Sequence, residues 1–107
     1  MRKNMITALV QFKLPQPINW EKGQEIFLST APKYREVPGL LRKYYLLSMD
    51  GKTAGGVYLW KSREQAEKLY SEDWRKFILE KYGSEPAVTY FESPVIVDNL
   101  TGEIIKD

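Results

Sequence analysis

The sequence predicts an α+β domain of the ferredoxin-like type. Its elements run β-α-β-β-α-β, with one antiparallel sheet and the helices on one face. Three observations predict it. Four stretches alternate apolar and polar residues with period two. Two regions between them space apolar residues three or four apart. Turn and cap residues stand at the joints. At 107 residues the chain has the size of one domain. Residues 1–107 are read as that domain, with 98–107 as a C-terminal extension.

The first strand spans Met5 to Lys13, with Ile6, Ala8, Val10 and Phe12 on one face. Pro15 and Pro17 end it. Asn19 can cap a helix that carries Trp20, Gly23, Gln24, Phe27, Leu28 and Ala31 at helical spacing. Pro32 is expected to break or kink it. The second strand is Leu40 to Met49, and Asp50-Gly51 is a hairpin signal. Ala54 to Trp60 is the third strand. Ser62 caps a short helix from Arg63 to Tyr70, and Ser71 caps a second from Glu72 to Tyr82. Gly83 is placed to end it in a left-handed conformation. The fourth strand is Ala87 to Val97, where Pro94 implies an edge, a bulge or a change of partner. Residues 98–102 carry turn chemistry, and Glu103-Ile104-Ile105 can form a small extra strand.

Both faces of the expected sheet carry large apolar groups. On the second strand Leu41, Lys43, Tyr45 and Leu47 alternate with Leu40, Arg42, Tyr44 and Leu46. On the third, Val57 and Leu59 alternate with Tyr58 and Trp60, and Phe91 on the fourth faces away from Tyr90. The face away from the helices needs a cover, and a second copy is the economical one. A homodimer is expected, with the tail after Pro94 free to pair with the partner.

Composition excludes several chemistries. The chain has no cysteine and no histidine. Thiol nucleophiles, disulfides and His-dependent triads are impossible. Zinc, copper and non-haem iron lose their usual ligands, so no metal site is expected. Sixteen basic and 14 acidic residues interleave along the chain, which does not suggest a nucleic-acid footprint. No apolar run reaches a membrane span, and Met1-Arg2-Lys3 is not followed by a signal peptide's apolar core. A cytoplasmic protein is expected.

Several residues carry a resemblance. They are Pro38-Gly39-Leu40, Lys43, the string Gly55-Gly56-Val57-Tyr58-Leu59-Trp60, then Lys61-Ser62-Arg63-Glu64 and a short helix ending at Tyr70. In this order they resemble the dimeric α+β-barrel superfamily. Within it the chain is most similar to the small monooxygenases related to YdhR, across about residues 5–97. The resemblance implies a dimer whose two sheets form a barrel, with a pocket between sheet and helices. It further implies cofactor-free oxygenation of a phenol- or quinol-type aromatic. Haem-degrading relatives bring a histidine that this chain lacks, so that activity is set aside.

Cofactor-free oxygenation needs a dry aromatic pocket, a group to take a proton, and a cation or phenol for the oxyanion. Lys43, Trp60 and Tyr45 are the candidate catalytic residues. Tyr34, Tyr58, Trp74, Tyr90 and Arg42 are candidate substrate contacts. Each has a plainer reading: Trp60, Trp74 and the tyrosines as core, Lys43 as a snorkelling or paired lysine. Glu92 is a natural partner for Lys43 if the strands bring them together. Gly55-Gly56 is read as a close-packing point, not a phosphate cradle. A non-catalytic ligand-binding or stress-related dimer is the second reading. An RNA-binding domain of the same strand order is disfavoured, because the first strand has no central aromatic.

Overall fold

The structure is a computed structural model that describes residues 4–107; Met1-Arg2-Lys3, weighed above against a signal peptide, lies outside them. In chain order the elements are β1 (Ile6–Lys13), α1 (Trp20–Tyr34), β2 (Leu40–Leu47), β3 (Thr53–Trp60), α2 (Arg63–Leu69), α3 (Glu72–Tyr82), β4 (Ala87–Glu92), β5 (Val95–Asp98) and β6 (Glu103–Lys106). The main sheet has the order β2-β3-β1-β4, with every neighbouring pair antiparallel. That order is the ferredoxin-like one.

The caps act as their residue types dictate. The side chains of Asn19, Ser62 and Ser71 accept from the backbone N–H of Lys22, Gln65 and Trp74 respectively. Each satisfies a donor that the first helical turn leaves free. Gly83 closes α3 at φ +84°, a conformation that glycine adopts without a Cβ penalty.

Two expectations are corrected. Pro32 does not end α1, which runs on to Tyr34. The proline falls in the last turn, where little of the hydrogen-bond ladder remains to be lost. Burial of Tyr34, which accepts a hydrogen bond from Trp74 Nε1 at 3.1 Å, holds that turn in place. The second correction concerns parity on β2. The register slips between Leu40 and Arg42, so Leu41 is an extra residue in a bulge. Leu40 therefore packs against the core with Tyr45 and Leu47, while Leu41 is pushed out and is exposed.

Register then sorts the faces, because residues opposite one another share a side. The inner face carries Ile6, Ala8, Val10 and Phe12 from β1 and Ala54, Gly56, Tyr58 and Trp60 from β3. Lys43 and Tyr45 lie across from Tyr58 and Gly56, and Tyr90 lies across from Ala8. Small residues separate large ones: Ala8 stands between Tyr58 and Tyr90, and Gly56 between Tyr45 and Val10. The other face carries Leu9, Val57, Leu59, Tyr44 and Phe91, and no helix covers it; Tyr44 and Phe91 are about half exposed.

The tail pairs with itself. After Pro94 the chain leaves the main sheet, and β5 forms a two-stranded hairpin with β6. Gly102 N–H donates to the Asp98 carbonyl at 2.8 Å to close its turn. Asp98 ties the hairpin to β2 by accepting from Arg42 Nη2 at 2.9 Å. Among the described residues no helix is long and apolar enough to cross a membrane.

Gly55-Gly56 is a close-packing point. A Cβ on Gly55 would stand 1.8 Å from the Val10 carbonyl oxygen, where only backbone could yield. We expect Gly55→Ala to cost about 2 kcal/mol or more, the scale of an overpacked core site. Urea unfolding checks this, and an unchanged midpoint would contradict the packing described.

Candidate functional site

Lys43 is the one cation of the inner face within the β2–β3 pairing, and its surroundings are aromatic. Its Nζ lies 3.4 Å from the ring centroid of Tyr34, 3.7 Å from that of Tyr45 and 4.7 Å from that of Tyr58. Those rings come from α1, β2 and β3. Gly56 makes room for the lysine stem: a Cβ there would approach Lys43 Cε to 3.3 Å and the Tyr58 ring to 3.1 Å. The glycine string thus shapes the site through what it leaves out.

Two tendencies oppose each other at the amine. Burial lowers its pKa from the ordinary 10.5 to about 7, because a dry site disfavours the charged form. Ring faces attract an ammonium and pull the other way. Among the described residues Lys43 makes no ion pair. Glu92, on β4, sits at the opposite edge of the sheet, with β3 and β1 between, so the suggested Lys43–Glu92 pair does not form.

The tyrosines are held by hydrogen bonds. Tyr45 Oη lies 2.7 Å from Thr30 Oγ1, and its ring stacks on Phe27 at 4.8 Å. Burial raises the pKa of the Tyr45 phenol, and that of Tyr58 further. Both stay protonated near neutral pH and keep a proton to donate.

The expected closed pocket between sheet and helices is almost filled. The space enclosed by Phe12, Tyr34, Lys43, Tyr58, Ile78 and Tyr82 holds about 10 Å³, room for one water at most. Open volume lies instead between α1 and the edge strand β2. One groove of about 470 Å³ is lined by Trp20, Gly23, Phe27, Ala31, Tyr45 and Leu47, among others. A second, of about 240 Å³, shares Ala31 and Tyr45 with it and is lined also by Tyr34, Arg35, Arg42 and Lys43. Lys43 borders both the inner space and this second groove.

The structure therefore brings Lys43, Tyr45, Tyr34 and Tyr58 together and separates the other candidates. Trp60 has no exposed surface, and its Nε1 donates to Tyr70 Oη at 3.1 Å. It stacks on Tyr58 and lines neither groove. Trp74 is also buried and acts on the site through the Tyr34 hydroxyl. Tyr90 lies near β4's edge, under the Arg63 guanidinium at 4.5 Å. Arg42 borders the groove, but Asp98 occupies its guanidinium and raises its pKa further. Thr30, Ala31 and Arg35 line or brace the site and were missed. The apolar stripe of α1 is their signal: Trp20 and Leu28 of that stripe are mostly exposed beside the groove.

Among the described residues no group of three acidic side chains is placed to hold a metal. Fold and site together define a small ferredoxin-like domain with an aromatic groove and no histidine or thiol chemistry. Residues 8–92 match the family described as "Putative mono-oxygenase ydhR", and the chain belongs to that family. Solved structures share its fold. A monooxygenase from the Streptomyces coelicolor gene ActVA-Orf6, in complex with nanaomycin D, is 22% identical; the match covers 85% of this chain and 88% of that one, with a TM-score of 0.62. SnoaB from Streptomyces nogalater, a cofactor-independent oxygenase, is 16% identical over 84% and 93%, with a TM-score of 0.62. A Nitrosomonas europaea protein of unknown function is 12% identical over 85% and 90%, with a TM-score of 0.63. A comparison with curated proteins returns no match.

The lowered pKa of Lys43 makes a stability prediction. Unfolded, the amine titrates near 10.5; folded, near 7. Between those values the unfolded chain binds more protons, so this group's penalty on stability is full below about pH 7 and fades as pH rises towards 10.5. We expect Lys43→Met to be stabilised relative to the parent at pH 6, and less so at pH 9.5. The ceiling is about 5 kcal/mol, at about 1.4 kcal/mol per pH unit, and the ring contacts reduce it. Urea unfolding at the two pH values measures this, and a difference independent of pH would contradict it.

Proposed function

We propose that the chain is a cofactor-independent monooxygenase acting on a small phenol- or quinol-type aromatic held in the α1–β2 groove. We propose also that it works as a homodimer in the cytoplasm, a compartment that suits a cysteine-free chain. The observation that carries the reading is Lys43: an amine titrating near neutrality, caged by three tyrosine rings on the wall of an aromatic groove. A base with a pKa near the working pH combines availability with driving force. The description of SnoaB as a cofactor-independent oxygenase supports the reaction class.

The neutral Lys43 amine takes the acidic proton of the substrate. The resulting anion gives one electron to dioxygen, and the substrate radical and superoxide combine through a new C–O bond. Loss of water from the hydroperoxide leaves a carbonyl. For an anthrone, one oxygen atom ends in the quinone and the other in water, with the methylene supplying both hydrogens. The Lys43 ammonium faces the anion until the proton leaves with that water. Tyr45, whose hydroxyl lies 2.7 Å from Thr30 Oγ1, turns its proton from that oxygen to the developing oxyanion. Tyr34 and Tyr58 wall the site, with Trp74 and Trp60 holding them from behind. Tyr90 and Arg42 belong to its outer rim.

The small internal space favours a second reading. With about 10 Å³ enclosed, no closed chamber shields a reactive anion from water. A ligand-binding dimer without chemistry uses the same groove.

Oxygen uptake with anthrone and hydroquinone separates the two. The monooxygenase reading expects uptake above the protein-free rate and a loss of about a hundredfold in Lys43→Met, the scale of a general base. No uptake, with anthrone still bound by fluorescence titration, favours the binder; uptake unchanged in the variant removes Lys43 from the mechanism.

The uncovered face of Leu9, Val57, Leu59, Tyr44 and Phe91 is the support for the homodimer. Light scattering at micromolar concentration is expected to give the mass of two chains, and Leu59→Asp to give one. A parent protein of single-chain mass would refute the pairing.

A further inference from the structure

Lys43 is also a nucleophile in waiting, and this use of it needs no dioxygen. An amine attacks carbon only through its free electron pair, which protonation removes. Most lysines are therefore inert at neutral pH, and a desolvated one is the exception. The residues around Lys43 keep its lone pair free. The 240 Å³ groove is lined by Ala31, Tyr34, Arg35, Lys43 and Tyr45 among others; no carboxylate is among its lining residues, and Arg42 at its border is paired with Asp98. The inner space adds Tyr58 from β3 and Tyr82 from α3, whose phenols burial keeps neutral. Burial disfavours the ammonium and the ring faces favour it, which leaves part of the amine free near neutrality. The Tyr34 and Tyr45 rings that stand 3.4 and 3.7 Å from Nζ also line this groove, so an aromatic ligand beside the amine meets aromatic walls.

We propose that Lys43 is a covalent attachment site, where the amine on the wall of the α1–β2 groove forms an imine with small aromatic aldehydes. The nitrogen lone pair forms a C–N bond to the carbonyl carbon, and the carbonyl π pair moves to oxygen. A proton shifts from nitrogen to that oxygen, giving a carbinolamine. Loss of water then leaves the C=N bond, with no net oxidation. Tyr45, protonated and lining the same groove, turns its proton from Thr30 Oγ1 to the departing hydroxide. The groove is of a size for a single ring, which sets the class of aldehyde. The site is the one used in the oxygenase reading, but the chemistry is separate. Each can fail without the other.

The test uses the full chain, benzaldehyde and sodium cyanoborohydride in oxygen-free buffer at pH 7. Cyanoborohydride reduces the imine to a stable secondary amine, and peptide mapping assigns the label. Lys43 is expected to be labelled about tenfold faster than the average of the other lysines, since at pH 7 an ordinary lysine is almost wholly protonated. The α-amino group is mapped separately, because it also carries free amine at this pH. At pH 9.5 the advantage of Lys43 is expected to shrink, because ordinary lysines then also carry free amine. Propionaldehyde, which cannot stack, is expected to show a smaller preference. Labelling spread evenly over the lysines at pH 7, or Lys43 among the slowest, would overturn the proposal. So would an equal preference with propionaldehyde, because the tyrosine walls would then play no part in selection.

Discussion

Aromatic rings fill the space between one sheet face and three helices, and their polar tips must find partners there. That constraint organises the molecule. Trp60 N–H is met by Tyr70, Trp74 N–H by Tyr34, and the Tyr45 hydroxyl by Thr30. No buried side-chain nitrogen or oxygen among the described residues lacks a partner. Each bond ties one element to another, so the same contacts that satisfy buried polarity also fix how the helices dock. Ala8, Ala54, Gly56 and Ala66 are the small residues that let rings of this size share one layer.

Lys43 is the exception within that layer. Its neighbours offer π faces where an ion pair would offer a carboxylate. The cost of burying the amine is met partly by the rings and partly by giving up the proton. A residue that hydropathy reads as misplaced becomes the most chemically available group on the inner face. Its position on the edge strand matters equally. On β1, between two strands, the same side chain would be sealed in. On β2 it borders open volume.

Much of the architecture was legible because it follows local rules. Alternation placed the strands, and Asn19, Ser62, Ser71 and Gly83 marked helix ends through backbone groups that any helix leaves unmet. Pro32 misled because local propensity cannot weigh the burial of Tyr34 two residues on. The site was half legible. Lys43 and the tyrosines stood out as a cation within an aromatic pattern, and strict parity would have grouped Lys43 with Tyr45. Whether that group faces a chamber or a cleft depends on how closely α1 lies on β2. Thr30, Ala31 and Arg35 carry no distinctive chemistry of their own, and the tertiary placement of α1 is what recruits them.

The bulge at Leu41 has a consequence for reading chains of this kind side by side. It absorbs one residue between the loop at Pro38-Gly39 and the site, so Leu40 can seal the core beneath Trp60 while Lys43 still turns inward. A relative lacking the extra residue would keep both side chains in place with a strand one residue shorter. Laid against this chain without a gap at Leu41, its lysine would fall in the column of Arg42, on the far side of the sheet. Homologous site residues in such chains are matched by which face they occupy, and a single-position gap before the lysine is the mark of that bulge.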